Sequence, residues 1–127
     1  MLLKIDHPNI IRVRETNHKF TNIVIMEMEL GSKNLEEYVD RKRKKNQELL
    51  KEEQVATIMQ GVLNALHYLH DTKNIIHRDL KPENVLIVNK NDMTKIKLID
   101  FGLAVKYTAA GVQDFAKCGT LLYTPPE

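Results

Sequence analysis

Two short β-prone runs, Val85-Leu86-Ile87-Val88 and Ile96-Lys97-Leu98-Ile99, are separated by only seven residues, Asn89-Lys90-Asn91-Asp92-Met93-Thr94-Lys95, rich in turn formers. A connection this short cannot carry the crossover that parallel strands need, so the pair must be an antiparallel hairpin. If Val85 pairs near Ile99, then Asn84 and Asp100 stand side by side at its open end. The polar residues just before the first strand and just after the second are thereby forced into one place.

The clearest helix spans about Glu52 to His70. Val55, Ile58, Met59, Val62, Leu66 and Leu69 recur at spacings of three, four and seven, which predicts one buried face. Gly61 inside it costs about 1 kcal/mol relative to Ala and marks a place of close approach. Ile10–Val13 and Ile23–Met26 read as two strands joined by the polar turn Glu15-Thr16-Asn17-His18-Lys19. Leu35–Val39 reads as a short helix capped by Asn34, with Glu36 and Glu37 in its first turn. The basic run Arg41-Lys42-Arg43-Lys44-Lys45 then reads as a solvated loop. These elements imply an α+β fold.

At 127 residues and 43% hydrophobic, the chain suits one domain and not two. A net charge of +2 argues against a broad nucleic-acid surface. No apolar run approaches the ~20 residues that span a bilayer. Cys118, the one cysteine, has no partner for an internal disulfide, so the expected setting is intracellular and cytoplasmic. His67 and His70 share a helix face, but no third ligand accompanies them to make a metal site.

His77-Arg78-Asp79-Leu80-Lys81-Pro82-Glu83-Asn84 precedes the first hairpin strand, and Asp100-Phe101-Gly102 follows the second. In this order, flanking a hairpin, the two motifs resemble the catalytic and metal loops of the eukaryotic protein kinases of Ser/Thr type. The resemblance implies ATP and Mg2+ as cofactors and a protein substrate as partner, while the charge balance and the lack of a spanning run imply no nucleic acid or membrane partner. Phosphoryl transfer needs positioning and charge neutralisation more than covalent help. Asp79 would orient the acceptor hydroxyl and accept its proton. Asn84 and Asp100 would supply oxygen ligands to magnesium. Lys81 would place a cation near the transferring phosphate, and in the family it separates Ser/Thr from most tyrosine kinases. Thr120, after Cys118-Gly119, matches the threonine that bonds the catalytic Asp and Lys. Leu86 matches the aliphatic residue under the adenine, and Phe101 a core residue stacking on His77.

The same resemblance makes His7-Pro8-Asn9-Ile10-Ile11 the segment after the regulatory helix and Met26 the gatekeeper. Glu27 to Glu29 become the hinge whose backbone meets the adenine edge, with Glu27 and Glu29 as cofactor-binding positions. Pro125-Pro126-Glu127 resembles the end of the activation segment. The chain then divides into the end of an N-lobe (1–26), a hinge (27–34) and the start of a C-lobe (35–127), a partial protein-kinase-like fold. No G-x-G-x-x-G occurs in these residues, nor the phosphate-pairing lysine and its glutamate. The 127 residues alone are therefore expected to be inactive, and a truncated or pseudokinase-like binding module stays open as an alternative. Glu83 is a candidate for recognising a basic substrate residue, and Asp114 is expected to serve as a built-in partner for Arg78.

Overall fold

The computed structural model describes residues 5–15, 26–46, 49–89, 92–108, 111–112, 118–124 and 126. In chain order these form β1 (Val13–Glu15), β2 (Met26–Met28), β3 (Lys33–Asn34), α1 (Leu35–Asn46), α2 (Glu52–His67), β4 (Ile75–Ile76), β5 (Val85–Asn89), β6 (Asp92–Leu98), β7 (Val105–Thr108) and β8 (Gly111–Val112). The turn residues Thr16–Lys19, the run Ile23–Ile25, Asp114, Pro125 and Glu127 lie outside the described residues.

β5 and β6 form the expected antiparallel hairpin, but Val85 pairs with Leu98, one residue earlier than anticipated. The ladder is continued at its open end by the Ile99 amide, which donates to the Asn84 carbonyl at 3.0 Å. At the other end β6 begins at Asp92, opposite Asn89, so most of the anticipated turn is strand, with an irregularity between Ile87 and Asn89. β3 adds to the free edge of β5. The first β-run is also shifted. Of the expected strand Ile10–Val13, Ile10 makes an isolated bridge, parallel to Leu98, and Val13 opens β1. β1 pairs antiparallel with β2 in the register Val13↔Met28 and Glu15↔Met26.

Alternation along β6 decides the core. Ile96 and Leu98 are fully buried and face α2, while Lys97 points to the opposite side with its cross-strand partner Leu86. The α2 face that meets them is made by Ile58, Gly61, Val62 and Ala65, with Leu69 just beyond. Val55 and Met59, expected on that face, are exposed instead. The apolar spacing was satisfied by two overlapping stripes, and the small residues Gly61 and Ala65 allow the hairpin closest to theirs. The α-helix also ends at His67, giving way to a π turn over Tyr68–Thr72, closed by Lys73 N–H donating to the Tyr68 carbonyl at 3.2 Å.

α1 corrects the expected loop. The helix runs through the basic residues to Asn46, so Arg41–Lys45 are helical. Asn34 caps it, Oδ1 accepting the Glu37 amide at 2.8 Å. Acidic residues in the first turn and Arg43, Lys44 and Lys45 in the last both complement the helix dipole, and Lys and Arg are good helix formers. α2 starts with the Gln54 side chain accepting the Lys51 amide at 3.1 Å.

Gly61 is the point of tightest contact between α2 and the hairpin. A Cβ there would lie 2.6 Å from Cγ1 and 2.9 Å from Cδ1 of Ile96, inside van der Waals contact. Gly61→Val is therefore expected to destabilise the fold by about 1–3 kcal/mol through overpacking, read as a lower urea midpoint. An unchanged midpoint would mean that Ile96 can move aside.

Candidate active site

The segment from His77 to Asn84 is held by its own buried polar groups. His77, 1% exposed, donates from Nε2 to the Ile99 carbonyl at 3.0 Å and accepts the Asp79 amide at Nδ1, 3.3 Å away. One nitrogen donating and the other accepting is the pattern of a neutral imidazole. Burial holds the His77 pKa below its ordinary value, against the opposing pull of the Ile99 carbonyl and of Asp79 and Asp100. The ring also meets Phe101 edgewise, centroids 4.9 Å apart and tilted by 58°. The His77–Asn84 segment and the Asp100-Phe101-Gly102 motif are thus joined through one histidine.

Asp79 is the centre of a closed ring of polar contacts. Lys81 Nζ lies 2.9 Å from its Oδ2, and the Thr120 hydroxyl donates to Oδ1 at 2.7 Å. Lys81 also donates to the Thr120 oxygen at 2.8 Å, closing the triangle. Asn84 Nδ2 donates to Oδ2 at 3.0 Å and to the Asp79 carbonyl at 2.8 Å. The hydrogen bonds from Lys81 and Thr120 outweigh burial and keep the Asp79 carboxyl below its ordinary range. Asp79 in turn raises the Lys81 pKa. Asp79 is an anion and Lys81 a cation throughout the neutral range.

Asn84 spends its amide donors on Asp79, which leaves its oxygen as an acceptor. Asp100 follows in space through the Asn84–Ile99 backbone bond. Its backbone is left-handed, φ 58°, and its Oδ1 accepts the Gly102 amide at 3.1 Å. Among the described residues no three His, Cys, Asp or Glu side chains gather into a metal cage. An amide oxygen and a carboxylate are hard donors that suit Mg2+, which commonly takes one or two protein oxygens and fills its shell with phosphate and water.

A cavity of about 560 Å³ opens beside Asp100. Ile11, Val13, Met26 and Met28 form one wall, Leu86, Ile99 and Phe101 the other, with Glu29 and Gly31 at the rim. Of the positions expected to hold a cofactor, Leu86 and Glu29 line it. The Glu27 side chain faces away, its carboxylate 4.0 Å from Arg14 on the outer surface of the β1–β2 pair. Lys81 is turned to Asp79 and Thr120. Ile11 and Val13 are lining residues with no expected cofactor role, because the cavity forms between segments remote in sequence, whereas Met28 and Gly31 fall within the expected hinge.

Two further placements bear on the site. Arg78 is in the left-handed region, φ 67°, and its Nε donates to the Leu103 carbonyl at 2.6 Å. Its expected partner, Asp114, lies outside the described residues. Glu83 Oε2 is buried with no hydrogen-bond partner among the described residues.

The protein kinase domain model matches residues 1–127. The chain belongs to the protein kinase domain family. It is similar to ribosomal protein S6 kinase alpha-4 of Homo sapiens, 32% identical over 123 residues, covering 95% of this chain and 15% of that protein. It is 36% identical over 128 aligned positions to calcium-dependent protein kinase 3 of Plasmodium yoelii yoelii, covering the whole chain and 22% of the relative. The chain thus spans about a fifth or less of the length of these relatives. Among solved structures, a chain of the yeast RNA Pol II CTD kinase CTDK-1 complex superposes with a TM-score of 0.68 at 30% identity, over 85% of this chain and 33% of that one. The α+β, partial protein-kinase-like fold is the fold of that family.

The neutral, buried His77 makes stability depend on pH. Its folded pKa is below the unfolded value of 6.5, so the unfolded chain binds the proton first and stability falls as pH drops through 6.5. His7, lowered by burial and then by the charge of Lys97, acts with the same sign. The expected outcome is a lower urea midpoint at about pH 5.5 than at about pH 7.5. An NMR titration should find the His77 ring neutral where an ordinary histidine is half protonated; titration at or above 6.5 would contradict the assignment.

Proposed function

We propose that this chain carries the catalytic and metal-binding loops of a protein serine/threonine kinase, which transfers the γ-phosphate of ATP to protein hydroxyls with Mg2+. The observation that carries this reading is the fixed anion Asp79, ringed by Lys81, Thr120 and Asn84 at the open end of the hairpin. A carboxylate offers about four acceptor sites. Lys81, Thr120 and Asn84 take three of them, leaving one for an acceptor hydroxyl. That bond would orient the hydroxyl and receive its proton as the phosphoryl group departs from its donor. Lys81 has a further N–H with which to meet the developing negative charge of the phosphoryl oxygens.

The apolar cavity suits a flat heterocycle held between Leu86 and the β1–β2 wall, with phosphates directed towards Asp100. Asn84 and Asp100 would hold the magnesium, whose charge neutralises the phosphate oxygens when it is bound. The resemblance of Lys81 to the Ser/Thr type favours Ser and Thr over Tyr as acceptors. Within these 127 residues there is no glycine-rich loop and no phosphate-pairing lysine, so the chain by itself is proposed to bind nucleotide without turning it over.

To test the roles, the chain replaces the matching segment of a complete Ser/Thr kinase domain. Asp79→Asn is expected to spare magnesium-dependent nucleotide binding and lower transfer by about 10²–10⁴-fold. Asp100→Ala is expected to weaken the binding itself. Retention of most activity by Asp79→Asn would remove it from its proposed role.

A further inference from the structure

Lys97 sits on β6 opposite Leu86, on the face turned away from the core and towards the nucleotide cavity. Its ammonium is not left to solvent: Nζ lies 3.0 Å from Glu29 Oε1 and 3.3 Å from the Ile10 carbonyl. The same Glu29 oxygen accepts the Arg12 amide at 2.7 Å. Glu29 is on the cavity rim, one residue beyond β2, whereas Lys97 belongs to the hairpin that carries Asn84 and Asp100. Three segments remote in sequence therefore converge on one ammonium and one carboxylate.

We propose that Lys97 is a positioning residue for the nucleotide site, tying the rim at Glu29 to the β5–β6 hairpin and so fixing the separation of the two cavity walls. The proposal rests on the reading of the cavity as a nucleotide site. Most exposed ion pairs contribute little because two long side chains must be immobilised against water. This pair differs in three respects. The Lys97 side chain is only 16% exposed and that of Glu29 35%. Each partner also bonds a backbone group, Ile10 O or Arg12 N–H, so the geometry is anchored at both ends. Burial by itself would raise the Glu29 carboxyl, yet the hydrogen bonds from Lys97 and Arg12 and their charges keep it below its ordinary value. The other charged groups nearby, Arg14 and Glu27, pair with each other on the outer face, and burial, then the charge of Lys97, holds the His7 pKa below its ordinary value.

Without Lys97 the backbone link of Ile11 and Asn9 to Leu98 remains, at 2.9 and 2.8 Å. The strand fold should then survive while the rim beyond Met28 loosens. A purely structural lysine would lower overall stability instead, affecting every amide alike.

The experiment compares the 127-residue chain with its Lys97→Met, Lys97→Arg and Glu29→Gln variants by amide hydrogen exchange and by binding of a fluorescent ADP with magnesium. Lys97→Met is expected to speed exchange at Glu29–Gly31 while leaving the Ile96 and Leu98 amides protected. It should weaken nucleotide binding by about 5- to 30-fold, as coupled partners in one network do. Lys97→Arg should retain most of the affinity, and Glu29→Gln added to Lys97→Met should weaken it no further. If Lys97→Met loses protection at Ile96 and Leu98, Glu29→Gln must show the rim effect alone or the proposal falls. If the unsubstituted chain binds no nucleotide, the reading of the cavity fails and the proposal with it. If it binds and Lys97→Met binds equally well with an unchanged rim, only the positioning role is overturned.

Discussion

The amide of Ile99 donating to the carbonyl of Asn84 is the bond on which the site turns. It extends the β5–β6 ladder one step past the last paired side chains and brings the end of one motif against the start of the other. The Ile99 carbonyl, one atom group along, accepts from His77. One residue, Ile99, thus fixes Asn84 through its amide and His77 through its carbonyl oxygen. Beside it, Ile96 and Leu98 are fully buried on the side of β6 that meets α2, with Ile96 closest at Gly61, so Ile99 rests on a fully buried part of the core. A loop assembly of polar groups needs such a base, because a ring of four polar side chains holds its shape only when its backbone cannot drift.

Much of this was legible in the sequence because it depends on short-range rules. A seven-residue gap between two β-prone runs allows little but a hairpin, and motifs at its ends must then meet. The Asn34 cap and the existence of α2 follow from local chemistry in the same way. The departures share a different physical origin. Of the expected α2 stripe, Ile58, Val62 and Leu69 are buried while Val55 and Met59 are exposed, because periodicity does not distinguish overlapping faces and the deciding factor is how closely Ile96 approaches Gly61. The basic run reads as a solvated loop from its charge, yet at a helix C-terminus the carbonyl ends attract such charges. The hairpin register, expected near Ile99, falls at Leu98, since two adjoining strand ends look alike until the bonds are counted.

For the cavity, legibility was lowest. Leu86 and Glu29 could be found through motif resemblance, whereas Ile11 and Val13 lie in a stretch that reads simply as strand. Lys97 is a harder case. On alternation it is the polar, outward residue of a half-buried strand, and nothing in its neighbours announces that Glu29, far back in the chain, closes over it. Contacts between remote segments leave no periodic trace.

Thr120 reaches Asp79 because the chain just before it runs unusually close to the His77–Asn84 segment. Gly119 is at φ 101°, and a Cβ on it would stand 2.8 Å from the carbonyl oxygen of Arg78, itself a left-handed residue. Neither neighbour can yield easily, since the contact is with main chain and the Arg78 backbone already departs from the common basins. Every missense change of a glycine codon adds a Cβ. The mutational spectrum at position 119 should therefore be empty in any library selected for function, while the exposed Leu121 and Leu122 beside it drift freely as far as this chain's own packing is concerned.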